Sequence, residues 1–331
     1  MILAIESSCD DSSIAICEIE SKKVLFHKKI SQESDHNKYG GVVPELASRL
    51  HAEALPKILN ECKEFFPRLK AVAVTNAPGL SVTLQEGVMI AKGLNVALGV
   101  RIIAVNHLIG HIYSLFIEKE EIKPVMVLLV SGGHTKLLNF NGIEDVCEIA
   151  TTLDDSFGES FDKVAKMLNE GYPGGPIIER LAKKGNVCVD FPLPLKNSKI
   201  TAFSYSGIKN AVRLAIQSGK YSKEDIAASF QAKAIEHLVF MSKRAIKKYK
   251  PRYFAVVGGA SANMALRKEF EKLALKYGFE LLYPQMEYTS DNAVMIARAA
   301  IESYKKSTFI DYKELKVIPR VSFKKCEESG L

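Results

Sequence analysis

At 331 residues the chain is long for one compact core, so two lobes are the expectation. Hydrophobic residues at 47% and charged residues at 25%, both spread along the chain, exclude a disordered protein, and no apolar run approaches the ~18 residues of a membrane span. The net charge of +7 permits a polyanionic partner such as RNA without requiring one.

In chain order, β-branched content and punctuation predict a meander: strand Ile2 to Glu6, polar turn Ser7 to Ser12, strands Ser13 to Ile19 and Lys23 to Ile30. With no basic leader ahead of the first strand, the expected location is cytoplasmic. A helix follows from Pro44 to about Cys62. Ala71 to Thr75 reads as a strand, then a Pro-Gly turn and a helical stretch to Leu98, and the strand Arg101 to Val105 leads into His107 and His111. From Val125 the opening pattern returns: a strand to Val130, the turn Ser131-Gly132-Gly133 and a strand His134 to Phe140, which resembles an internal repeat and starts a second lobe. Lys183 to Lys199, with its prolines and lysines, reads as a loop. Tyr253 to Val257 is a strand feeding Gly258-Gly259-Ala260-Ser261, and helices run from about Ala262 to Tyr277 and from Asn292 to Lys305. Strands alternating with helices predict an α/β architecture with mixed sheets. Cys9, Cys17, Cys62, Cys147, Cys188 and Cys326 form no C-x-x-C pair, so reduced thiols are expected, with neither a disulfide framework nor a cysteine zinc site.

His107-Leu108-Ile109-Gly110-His111 sets two imidazoles four residues apart, on one side of a helix if helical, a spacing that can hold a metal ion. A metalloprotease H-E-x-x-H helix needs glutamate where Leu108 stands, which disfavours that reading; from spacing alone, two ordinary helix histidines are the commoner case. Asp291 is the candidate third ligand, with a helix N-cap as its alternative role. Two histidines and a carboxylate suit iron or zinc. Three glycine-rich turns, Ser131 to Gly133, Tyr172 to Pro176 and Gly258 to Ser261, lack Rossmann or Walker spacing; each alone is more often structural, but together they suggest a nucleotide cradle. Asp10 and Asp11 sit on the first turn, where carboxylates could orient water or an amine, or simply build an exposed turn. In the acidic run from Asp154 to Asp162 most charges read as first-turn helix acids, and Asp162 is the one singled out.

Further patterns join these: Glu6 to Asp11, Tyr39 to Arg49, Pro78-Gly79-Leu80, Leu129 to Thr135, Gly158 to Lys163, Phe203-Ser204-Tyr205-Ser206-Gly207, Gly258 to Asn263 and Asp291-Asn292. In this order, over residues 2 to about 300, they closely resemble the tRNA threonylcarbamoyladenosine transferase family, once described as O-sialoglycoprotein endopeptidases, in its bacterial form. The resemblance implies an actin-like ATPase fold with two similar α/β lobes and a central cleft. Residues 1–120 would form the N-terminal lobe, 121–310 the C-terminal lobe with a helical insertion around 155–235, and 311–331 a tail returning to the first lobe.

The same resemblance implies that His107, His111 and Asp291 ligate one divalent metal per subunit, iron (Fe2+) or zinc. It implies that Leu129, Val130, Ser131, Gly132, Gly133, Asp162, Gly175 and Asn263 hold ATP, ADP or threonylcarbamoyl-AMP, with Glu179 a weaker ribose contact, and that Asp10 and Asp11 are catalytic carboxylates. The implied partners are tRNA, threonylcarbamoyl-AMP and accessory subunits, in bacteria a paralogous actin-like subunit and a small ATPase, with no membrane. The implied activity moves a threonylcarbamoyl group from its adenylate to N6 of the adenosine beside the anticodon. Two departures stand out: Leu108-Ile109 where relatives often carry Met-Glu, and Asp11 where many carry glutamate. A small-molecule kinase of the same fold leaves the paired histidines without a task, and a non-catalytic scaffold is at odds with the presence of both histidines and Asp291.

Overall fold

Ile2 to Ile5 is buried at every position, as a strand covered on both faces must be. In the computed structural model, which describes residues 1–327, this run forms β1 (Ile2–Glu6), and β2 (Asp11–Cys17) and β3 (Val24–Ser31) complete an antiparallel meander. Then come α1 (Glu33–Asn37), α2 (Pro44–Glu61), β4 (Ala71–Ala77), α3 (Ser81–Leu98), β5 (Arg101–Asn106) and α4 (His107–Tyr113). β4 and β5 add in parallel beside β1, giving the order β3-β2-β1-β4-β5.

The plan restarts with β6 (Val125–Val130), β7 (Thr135–Gly142) and β8 (Asp145–Thr151), again an antiparallel meander. The helices α5 (Phe157–Met167), α6 (Gly174–Ala182), α7 (Ser206–Ser218) and α8 (Lys223–Tyr249) follow, then β9 (Tyr253–Val257), α9 (Met264–Tyr277), β10 (Glu280–Leu282), α10 (Ala293–Lys305) and β11 (Lys324–Lys325). The second sheet runs β10-β9-β6-β7-β8-β11, so five of its strands repeat the order of the first. The strand order thus carries the repeat that the two turn sequences only suggested.

The chain divides into two compact units. One is Met1–Ile122 with Pro284–Ser322; the other is Lys123–Tyr283 with the residues from Phe323 on. The expected second lobe of 121–310 is corrected at its end. α10 is buried from Ala293 to Ile301 and packs on β1, β2, β4 and β5, so its apolar surface belongs to the first core. The tail is divided. Ile310 bridges Ile102, Leu315 lies in the first core, and the Ile318 N–H donates to the Asn76 carbonyl at 2.8 Å, whereas β11 pairs with β8 of the second unit.

That pairing overturns the expectation of six reduced thiols. Lys324 registers with Cys147, which sets Cys326 beside it with Cα atoms 4.8 Å apart, and the two cysteines form a disulfide. They lie 179 residues apart in sequence, so strand pairing, not local spacing, joins them. Cys9, Cys17, Cys62 and Cys188 are free thiols. Among the described residues no helix is long and apolar enough to cross a membrane. In each unit the parallel strands end at one common edge of the sheet, and in the first unit that edge leads into His107 through Asn106.

Candidate active site

α4 starts where β5 ends because Asn106 caps it, its side-chain oxygen accepting from the N–H groups of Leu108 (2.8 Å) and Ile109 (3.3 Å). The two imidazoles therefore project one turn apart, ring centroids 4.6 Å from each other. α10 approaches this helix at Gly110, where a Cβ would stand 2.6 Å from Ile296 Cδ1. Close approach carries Asp291, just ahead of α10, to both rings: its Oδ1 lies 3.1 Å from His111 Nε2 and 3.5 Å from His107 Nε2. Asp291 is not the N-cap; Asn292 is, accepting from the Met295 N–H at 2.9 Å, and the Asp291 carboxylate is left to face the histidines.

The ligand-capable atoms of His107, His111 and Asp291 lie within 4.8 Å of one another. His111 has no exposure, and among the described residues neither of its ring nitrogens has an aligned hydrogen-bond partner, a burial that costs about 1–3 kcal/mol per group when left unanswered. A cation at the three groups would answer it, so this donor set fits a metal. Asp291 keeps 23% of its side chain exposed, which leaves the group reachable from solvent. Burial pushes the His107 imidazole down, but the carboxylates of Asp291 and Glu6 outweigh burial and hold it at about 9. Against the upward push of burial, His107 and His111 draw Asp291 below the usual carboxylate range.

Around this cluster stand residues that the sequence reading did not single out. Glu6, with no exposure, takes the Ser8 N–H at 2.7 Å and the Thr75 hydroxyl at 2.5 Å, and its Oε2 lies 3.2 Å from His107 Nδ1. The available signal was its placement: a charge closing a fully buried strand needs partners. Asp11 is the first residue of β2, not part of the turn, and pairs with Ser31. Lys29 donates to Asp11 Oδ2 and to Ser290 Oγ, both at 3.0 Å, linking the meander to the residue before Asp291. Burial pushes Asp11 up to about 6; Lys29 opposes that rise and Asp291 adds to it. Asp10 stays in the turn, its carbonyl accepting from the Gln32 N–H at 3.1 Å.

The glycines of the second unit divide into two kinds. Gly158, Gly174 and Gly258 are packing residues: a Cβ on them would meet Ser131 O at 2.5 Å, Phe161 O at 2.4 Å and Val130 O at 2.4 Å. Gly132, Gly133, Gly175 and Gly259 have nothing described within 4 Å of a Cβ position. The first kind draws α5, α6 and the turn after β9 onto neighbouring backbone; the second leaves backbone bare, as close approach of a phosphate requires. Ser156 fixes the first turn by donating to Gly132 O at 2.5 Å, and Asp162 Oδ1 accepts from the Gly174 N–H at 2.7 Å.

Residues 23–298 match the family model described as tRNA N6-adenosine threonylcarbamoyltransferase. The protein of that name from Nautilia profundicola is 77% identical over 326 residues, covering 98% of this chain and 100% of its own. Its counterpart in Nitratiruptor sp. is 64% identical over 328 residues, with 98% and 100% covered. The chain belongs to the tRNA N6-adenosine threonylcarbamoyltransferase family. Among solved structures it resembles full-length HypF in a phosphate- and nucleotide-bound form (TM-score 0.65, 16% identity, 93% of this chain and 56% of that one). It also resembles the activator of 2-hydroxyisocaproyl-CoA dehydratase from Clostridium difficile with bound ADPNP (TM-score 0.56, 15% identity, 96% and 98%). At such identities the likeness concerns the fold, which is the actin-like ATPase fold.

Of the residues assigned from resemblance to the threonylcarbamoyltransferase family, the first unit brings together His107, His111 and Asp291, with Asp11 linked to them through Lys29 and Ser290. In the second unit Asp162 meets the glycine beside Gly175, and Glu179 Oε1 accepts from the Met264 N–H at 3.1 Å next to Asn263. Asn263 is engaged at both ends, capping α9 through the Leu266 N–H and donating to Gln231 at 2.9 Å. Leu129 and Val130 are strand residues with no exposure, and they lead directly into the turn Ser131-Gly132-Gly133.

Proposed function

We propose that this chain transfers the threonylcarbamoyl group of threonylcarbamoyl-AMP to N6 of the adenosine beside the anticodon in tRNAs that read codons beginning with adenine. The observation that carries the reading is the meeting of His107, His111 and Asp291 at one point in a chain of this family. In the reaction the adenine amine attacks the carbamoyl carbon, a C–N bond forms, the bond to the phosphate oxygen breaks, and AMP leaves with its electron pair. The amine is a poor nucleophile, so the protein must supply position, charge stabilisation and a proton acceptor.

A divalent ion, iron or zinc, held by His107, His111 and Asp291, would supply Lewis-acid polarisation or an anchor for the threonylcarbamoyl group. Bare amides at Gly132, Gly133 and Gly175 bind the phosphate of the adenylate, or of ATP or ADP. Asp11, with Asp10 as the alternative, takes the proton from N6. tRNA binds chiefly through its phosphates to the basic chain, so affinity falls as salt rises. The chain works with accessory subunits, a paralogous actin-like subunit and a small ATPase.

The test is nucleoside mass spectrometry on unmodified tRNA supplied with threonine, bicarbonate, ATP, an adenylate synthase and the accessory subunits. Threonylcarbamoyladenosine is expected only when the chain is present, and not with His107→Ala. Equal product without the chain would end the reading.

A further inference from the structure

The carboxylate of Glu6 sits on the side of His107 opposite Asp291. The Ser8 N–H donates to its Oε1 and the Thr75 hydroxyl to its Oε2, so both oxygens act as acceptors. An oxygen already used in this way meets His107 Nδ1, at 3.2 Å, only by accepting again. Nδ1 therefore carries a hydrogen. Ser8 Oγ, 3.1 Å from the same nitrogen, steadies the ring from a second direction. In a neutral imidazole with Nδ1 protonated, the free lone pair is on Nε2, the nitrogen 3.5 Å from Asp291 Oδ1. Among the described residues His111 Nδ1 has no hydrogen-bond partner, so a carboxylate brace on the outer side is particular to His107.

We propose that Glu6 is a positioning residue of the metal site, fixing the tautomer and orientation of His107 so that Nε2 presents its lone pair towards Asp291 and a bound cation. The inference rests on the reading that His107, His111 and Asp291 hold a divalent ion, and it adds a fourth residue that never touches it. Such outer carboxylates typically change metal affinity by about 10–100-fold when lost.

The experiment measures Zn2+ alone, by chelator competition on the metal-stripped full chain, for wild type, Glu6→Gln and Ser7→Ala. Ser7 braces the same turn by donating to Thr83 O at 3.0 Å, and among the described hydrogen bonds none joins its side chain to His107, so its variant reports loosening of the turn by itself. Glu6→Gln is expected to bind Zn2+ about 10–100-fold more weakly, with Ser7→Ala near wild type. In 15N spectra of the Zn2+-loaded protein, the slowly exchanging Nδ1–H of His107 should be seen in wild type and lost in Glu6→Gln. If Glu6→Gln does not fold, Thr75→Val removes one donor to Glu6 and keeps side-chain volume; a several-fold loss of affinity and faster Nδ1–H exchange are then expected. Wild-type affinity in the Glu6 or Thr75 variant, or an equal loss in Ser7→Ala, overturns the positioning role. A wild-type chain that binds no Zn2+ refutes the metal site itself, which is a separate result.

Discussion

Stripping the metal and raising the pH should weaken the first unit in a defined window. In the metal-free protein His107 is held at about 9 against an ordinary 6.5. Because the folded value lies above the unfolded one, the stabilisation is fully present below pH 6.5 and is lost as pH rises to about 9. The difference corresponds to about 3 kcal/mol, counted once for the His107–Asp291–Glu6 group. The metal-loaded protein should behave oppositely, because the ion needs a neutral imidazole and displaces the proton; affinity should rise about tenfold per pH unit up to about 9. Hydrogen exchange of the α4 amides suits the measurement better than a global melt, since two compact units need not unfold together. Chelator-treated protein should open at α4 about 100-fold more often at pH 9 than at pH 6.5, and Zn2+ should abolish the increase. Equal protection at the two pH values in the chelated protein would refute the assignment of the His107 charge to its two carboxylates.

The glycines of the second unit offer a paired test. Gly158→Ala forces a methyl against Ser131 O and should cost about 1–3 kcal/mol, a melting point lower by about 2–12 °C. Gly175→Ala meets nothing and favours the helix, so stability should hold or rise while ADP affinity by calorimetry falls; unchanged affinity removes Gly175 from the cradle. If Asp11 takes the N6 proton, single-turnover transfer should rise with pH through about 6 and then level, and Asp11→Asn should lose that limb; a profile unchanged by Asp11→Asn excludes it. Denatured, unreduced protein should show four titratable thiols, and six after reduction; six from the start would contradict the Cys147–Cys326 bond.

Much of this arrangement was legible because it follows local rules. Apolar runs of four to six residues gave β1, β4 and β6, and the four-residue spacing of His107 and His111 gave a shared helix side. Asp291 was harder, since aspartate at a helix start normally caps it; only the position of Asn292 one residue later frees it. What sequence could not reveal depends on contacts between distant segments. Lys29 meets Ser290 across 261 residues, and Cys147 meets Cys326 only because a two-residue strand adds to a sheet edge. The assignment of α10 to the first core is of the same kind: its apolar side fits either sheet by pattern, and packing decides.

One strand plan used twice has given two opening turns of different electrical character. In the first copy the loop after the opening strand is bordered by acids, Glu6, Asp10 and Asp11, and Glu6 and Asp11 face His107 and Lys29. In the second copy the equivalent loop, Ser131-Gly132-Gly133, carries no charged side chain, and nothing described lies within 4 Å of a Cβ position on either glycine. The same strand plan thus carries turns of different charge, with the strands beneath left in the same order. The difference between the two copies at this point is therefore written in the turns, while the strand order beneath is shared.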